Sequence, residues 1–135
     1  MKKILYLILL LNVSSSIFAQ NVIGNVKRGP YLIAELSVNK IDSSEVFKLR
    51  YLDSTSEILK STSFKADQFK IDELYQFFSK MVSENNGTSN DYKIDNTLFN
   101  ATTQKMMGLR NILITVNESS NFGLNLKEIN KLFGK

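Results

Sequence analysis

The chain has 135 residues, with 17 Lys+Arg against 13 Asp+Glu and neither His nor Cys. The absence of His and Cys excludes Ser-His-Asp triads, Cys–His pairs, nearly all zinc and copper centres, and any disulfide framework. The basic excess is small and no Lys/Arg run after residue 19 is longer than two, so nucleic acid is not an expected partner.

Residues 1–19 read as a secretory signal peptide. Lys2 and Lys3 form a charged start, residues 4–11 an apolar run, and residues 14–19 a small-residue exit ending at Ala19. The apolar run is much shorter than the ~20 residues of a membrane-spanning helix. Cleavage after Ala19 leaves 116 residues, with 15 basic against 13 acidic side chains, because the leader holds two of the cations. The expected protein is therefore exported, periplasmic or secreted, with no stable membrane anchor once the leader is removed.

Residues 20–30 have few large apolar side chains and contain Gly24, Gly29 and the only proline, Pro30. They read as a loose N-terminal arm, with 22–26 as a short edge strand the less favoured alternative. From residue 31 to 135 the pattern is that of a single α+β domain. Residues 31–39 alternate, with Leu32, Ala34, Leu36 and Val38 on one side and Tyr31, Ile33, Glu35 and Ser37 on the other. Residues 46–52 alternate likewise, with Phe47, Leu49 and Tyr51 on the apolar side. Matching the two apolar faces sets Val38 opposite Phe47, Leu36 opposite Leu49 and Ala34 opposite Tyr51. The same register places Glu35 opposite Arg50, and a one-residue slip would invert every side chain. Residues 58–66 form the third strand, with Phe64 opposite Phe47.

Residues 67–82 carry the clearest helical period in the chain. Ile71, Leu74, Tyr75, Phe78, Met81 and Val82 make one apolar stripe, and Asp67 stands at the N-cap position. Residues 83–90, SENNGTSN, are a loop. Beyond it the arrangement repeats in shorter form, giving pseudo-halves at 31–82 and 91–135. Residues 97–106 fit a strand or a helix, and their Thr content favours the strand. Ile112, Ile114 and Val116 form the next strand, and Phe122, Leu124 and Leu126 return on the same face. A closing helix carries Ile129, Leu132 and Phe133, with Asn125 and Glu128 at capping-box spacing and Gly134 as the stop. The expected fold is two-layer α+β, βββα-βββα: a mostly antiparallel six-stranded sheet with two helices on one face. A half-open barrel closed around the long helix is the alternative.

The chemistry left to such a chain is narrow. There is no Gly-rich phosphate loop and no calcium-loop spacing in the acidic stretches 42–45 and 91–95. No cofactor or metal is expected. A carboxylate pair among Glu35, Glu45, Asp91 and Asp95 could hydrolyse a glycoside without His, yet no Trp is present to stack a sugar. Met106, Met107 and Leu109 fit a partner surface, although methionines in such a setting are more often core filler or a strand end.

The function these features favour is a non-catalytic interaction or ligand-binding module that meets an unidentified protein or small ligand outside the cytoplasm. A carboxylate-only hydrolase and a structural subunit of an envelope assembly are the alternatives. If helices cover one face of the sheet, the opposite face is the expected binding surface. Its residues are Tyr31, Glu35, Lys48, Arg50, Lys65, Asn100 and Gln104, a mixture of aromatic and charged groups of the kind enriched at interfaces.

Overall fold

A computed structural model describes residues 20–135, so the signal-peptide expectation for residues 1–19 lies outside the described residues. The α+β class holds, but there is no single six-stranded sheet. Eight strands form two antiparallel four-stranded meanders, each followed by a helix. Sheet A comprises β1 (Asn21–Arg28), β2 (Tyr31–Ile41), β3 (Ser44–Leu52) and β4 (Leu59–Lys65), in that order. Helix α1 (Gln68–Ser83) leads into sheet B, with β5 (Ser89–Ile94), β6 (Thr97–Met106), β7 (Leu109–Val116) and β8 (Ser120–Asn125) also in chain order. Helix α2 (Leu126–Leu132) follows.

The first half gains a fourth strand, β1, at the edge of sheet A: the expected loose arm is in fact the edge strand, the less favoured alternative for 22–26, and it runs over Asn21–Arg28. Of its side chains only Val26 is buried, opposite Ala34, so alternation alone does not betray it. Non-local contacts hold it instead. Gly24 lies directly beneath the end of α2, so close that a Cβ there would stand 2.0 Å from the Lys131 carbonyl oxygen. Arg28 donates to both carboxylate oxygens of Glu128 at 2.9 Å and to the Gly123 carbonyl at 2.8 Å. The second half likewise gains a strand, β5, which starts at Ser89 within the stretch expected to be loop and pairs with β6.

Elsewhere the expected pairing is found. β2 and β3 pair with Val38 opposite Phe47, Leu36 opposite Leu49, Ala34 opposite Tyr51 and Glu35 opposite Arg50, and Phe64 of β4 faces Phe47. Residues 97–106 are a strand. Helix α1 starts at an Asp67 cap that accepts the Lys70 N–H, and it buries Ile71, Leu74, Phe78, Met81 and Val82. Helix α2 has the full Asn125/Glu128 capping box.

Each helix bridges the halves. α1 follows sheet A but lies on β5, β6 and β7, while α2 follows sheet B and lies on β1 and β2 as well as β8. The helices meet where the Phe133 ring packs against Tyr75 and Phe78. The sheets meet through Tyr51 stacked on Phe122 at 4.9 Å and Phe64 edge-on to Phe99 at 5.9 Å, so a single hydrophobic core serves both. Phe64, Phe78 and Ile114 all belong to it.

This junction orients sheet B. Its β5–β6 turn reaches sheet A where Asp95 accepts the Lys65 N–H, and its β7–β8 end does so where Asn121 meets Asp53 and Ser54. In a meander, alternate turns lie at opposite ends. The β6–β7 turn is therefore at the end of sheet B away from this junction.

Candidate functional site

At that far end β6 and β7 outrun their neighbours. The last β5 pair on β6 is Ser89 with Thr102, and the last β8 pair on β7 is Asn125 with Asn111. Two further rungs, Lys105 with Arg110 and Met106 with Leu109, continue as a two-stranded ribbon. Its base is braced by the last turn of α1 and the loop after it. The buried Thr103 hydroxyl donates to the Met81 carbonyl at 2.6 Å, the Asn86 side-chain oxygen accepts the Lys105 N–H at 2.9 Å, and Arg110 donates to the Ser83 carbonyl at 3.0 Å. Nothing among the described residues covers the tip itself: Met106 is 66% exposed, Met107 99% and Leu109 70%.

The turn that joins the two strands makes this exposure more informative. Met107 and Gly108 have φ of 53° and 80°, the left-handed pair that a tight two-residue hairpin turn needs. Asn-Gly or Asp-Gly normally fills such a turn, because other L-residues pay ~1–2 kcal/mol for the left-handed conformation. Met107 thus incurs a backbone cost and recovers no burial. Isolated exposed apolar residues are ordinary on a protein surface, and Tyr31, Ile41 and Phe69 are examples here. Three within four consecutive residues, on a braced projection, form a patch. The charges on the hairpin itself are cationic: no acidic residue lies between Asp95 and Glu118, and Lys105 and Arg110 flank the apolar tip, while Glu84 lies in the segment that braces its base.

The seven residues expected to share one sheet face are divided between the sheets. Tyr31, Glu35, Lys48, Arg50 and Lys65 lie on sheet A, whereas Asn100 and Gln104 lie on β6 of sheet B. Glu35 and Arg50 form the cross-strand ion pair, at 3.6 Å. Asn100 is engaged within sheet B, donating to Asp91 at 2.7 Å and to Ser89 at 2.9 Å. The structure therefore does not assemble these seven residues on the face of a single sheet. Met106, Met107 and Leu109, which sequence reasoning weighed mainly as core filler, are the exposed group. The available signal was a Met-Gly pair at the centre of a hairpin whose strands were already placed.

Three depressions mark the remaining surface. One of about 640 Å³ between α1 and β5 is lined by Phe69, Phe77, Tyr92, Glu73 and their neighbours. There Tyr92 stacks on Phe77 at 5.5 Å and donates its hydroxyl to Glu73 at 2.8 Å. Burial and the adjacent Glu73 carboxylate push the Tyr92 phenol up to about 12, while the same hydrogen bond lowers Glu73. A second, of about 680 Å³, lies beside the α1 N-terminus, which Asp67 already caps. The third, of about 360 Å³, is lined by Asp91, Leu98, Asn100, Thr115 and Glu118. The four carboxylates considered for hydrolysis do not converge: Glu35 pairs with Arg50, Asp91 holds Asn100, Asp95 holds the Lys65 N–H, and Glu45 lies beside the α1 N-terminus. No three His, Cys, Asp or Glu side chains are grouped to hold a metal among the described residues, and no helix there is long and apolar enough to cross a membrane.

Compared with known proteins, the chain matches no family model, and no curated protein or solved structure is significantly similar to it.

Proposed function

We propose that this protein is a non-catalytic interaction module that works outside the cytoplasm and makes contact through the tip of the β6–β7 hairpin. The leader-like residues 1–19 support the location. The observation that carries the contact site is Met107, 99% exposed in a left-handed turn conformation that disfavours it. Glu57 and Glu118 also take positive φ in exposed turns, but their charged side chains suit water; among the described residues only Met107 presents a large apolar side chain from such a position, and a contact made elsewhere accounts for that combination. The lower of the two rungs is tied on both strands, Lys105 to Asn86 and Arg110 to Ser83, which supports presentation of the apolar group in a restricted orientation. Such pre-organisation reduces the entropy lost on binding.

The test is site-specific photo-crosslinking in intact cells, with the reactive amino acid placed at position 107 or, as a control, at the exposed Glu57 in the β3–β4 loop. The reading requires adducts from 107 that are absent from 57. No adduct from 107, or the same adducts from both positions, would overturn it.

A further inference from the structure

We infer that the surface met by this hairpin is an anionic lipid bilayer, into which Met106, Met107 and Leu109 insert while Lys105 and Arg110 meet the headgroups. The inference rests on the contact role just assigned to the tip and names its partner. Four features favour lipid. The group is convex and ends a free ribbon, whereas a small-molecule site is concave. Its three apolar side chains are far fewer than the ~20–30 residues a side of a stable protein interface, yet a bilayer needs no complementary shape. The one untied rung, Met106 with Leu109, and the turn reach on the order of 5–7 Å, within the ~5–10 Å depth to which interfacial apolar groups enter the headgroup boundary.

Charge is the fourth feature and the one that selects the lipid. Lys105 and Arg110 are directly opposite each other on the first rung below the apolar pair, both exposed; one guanidinium nitrogen of Arg110 donates to the Ser83 carbonyl, which leaves the Lys105 ammonium and the remaining Arg110 N–H groups to meet headgroups. When Met106 and Leu109 lie among the upper acyl carbons, these two cations fall at the level of the phosphates. Anionic headgroups attract each such cation enough to change partitioning about fivefold. The contact is reversible and peripheral. A single short wedge with two cations gives weak attachment, unlike a membrane-spanning segment.

The probe is vesicle co-sedimentation with phosphatidylcholine alone and with added phosphatidylglycerol, using wild type and variants in the same processed form. Wild type should partition to the phosphatidylglycerol vesicles several-fold better than to the neutral ones, with the preference lost in high salt. Met107→Asn should lower partitioning about tenfold or more through the lost apolar insertion. Lys105→Gln should lower it about fivefold on anionic vesicles only. Ile41→Ala, an exposed apolar position at the end of β2 on sheet A, should leave it unchanged. No binding by wild type, equal binding to both vesicle types, or binding indifferent to Met107→Asn would each overturn the lipid assignment. If vesicles fail while the probe at position 107 crosslinks one protein species, the lipid is wrong and the tip remains the contact site. If both fail, the contact role falls as well.

Discussion

The Asp53 carboxylate, at the end of β3, accepts the backbone N–H of Asn121, at the start of β8, at 3.1 Å. It also accepts the Ser56 hydroxyl at 2.7 Å and the Thr55 N–H at 3.4 Å, and it pairs with the Lys60 ammonium at 3.2 Å. Next to it the Ser54 N–H donates to the Asn121 carbonyl at 2.8 Å, and the Tyr51 and Ser120 hydroxyls share a hydrogen bond of 2.5 Å. One enclosed carboxylate thus organises the turn that fastens sheet A to sheet B.

These donors, with Ser56 foremost and the Asn121 N–H next, hold the Asp53 carboxyl well below its ordinary range despite the opposing effect of burial. A folded-state pKa below the unfolded one contributes stability above the unfolded value of ~3.9, lost as pH falls toward the folded value. Asp53→Asn should therefore be clearly less stable than wild type at pH 7. In urea melts the difference should shrink as pH drops below ~4. A difference that stays constant from neutral to acid pH would mean that the charge of Asp53 is not what fastens the sheets.

Tyr92 gives the opposite sign. Its pKa is raised to about 12, so its contribution is fully present below the unfolded value of ~10 and is lost as pH rises through the folded value. In an ultraviolet titration, Tyr92→Phe should remove an ionisation near 12. Loss of a component near ~10 instead would show the phenol free of Glu73.

The docking of β1 is tested by Gly24→Ala. The added Cβ would stand 2.0 Å from the Lys131 carbonyl oxygen and 2.6 Å from that of Leu132, both backbone atoms of α2 that cannot turn aside. The cost should be at least the ~1–3 kcal/mol of ordinary overpacking, read as a lower urea midpoint. An unchanged midpoint would place β1 away from α2.

Phe78 joins the helical stripe to the rest of the core. It meets Phe99 edge-on at 5.7 Å and Phe133 at 6.1 Å and is fully buried. Phe78→Ala should cost ~3–5 kcal/mol, a large part of the ~5–15 kcal/mol that stabilises a typical small domain. A melting curve unaffected by Phe78→Ala would contradict this packing.

Much of this arrangement was legible in the residues, and the exceptions have a common cause. The β2–β3 register could be read because two faces had to agree on it, apolar Leu36 with Leu49 and charged Glu35 with Arg50. The stripe of α1 and the capping box of α2 were equally local. β1 was legible only as the lesser alternative at 22–26, because Gly24 and Arg28 find their partners about a hundred residues away on α2. The division into two sheets was hidden for a similar reason. Alternation shows which face of a strand is buried, but not that Thr62 of β4 meets Thr97 of β6 by side-chain hydroxyls at 3.1 Å instead of through a continued backbone ladder. The expected face is divided with the sheet, since Arg50 lies on sheet A and Asn100 on sheet B. At the hairpin tip, composition could not separate buried from exposed methionine. Turn geometry could, because a tight turn with its centre at Met107 leaves that side chain no core to enter.

Denaturant unfolding of Met107→Asn tests most directly whether the side chain at position 107 serves contact and not folding. Asn accepts the left-handed conformation and restores the preferred Asn-Gly turn, so the variant should be more stable than wild type by ~0.5–1 kcal/mol with an unchanged denaturant slope. A variant less stable than wild type would show that Met107 supports the fold, and the reason for assigning it to a contact would be gone.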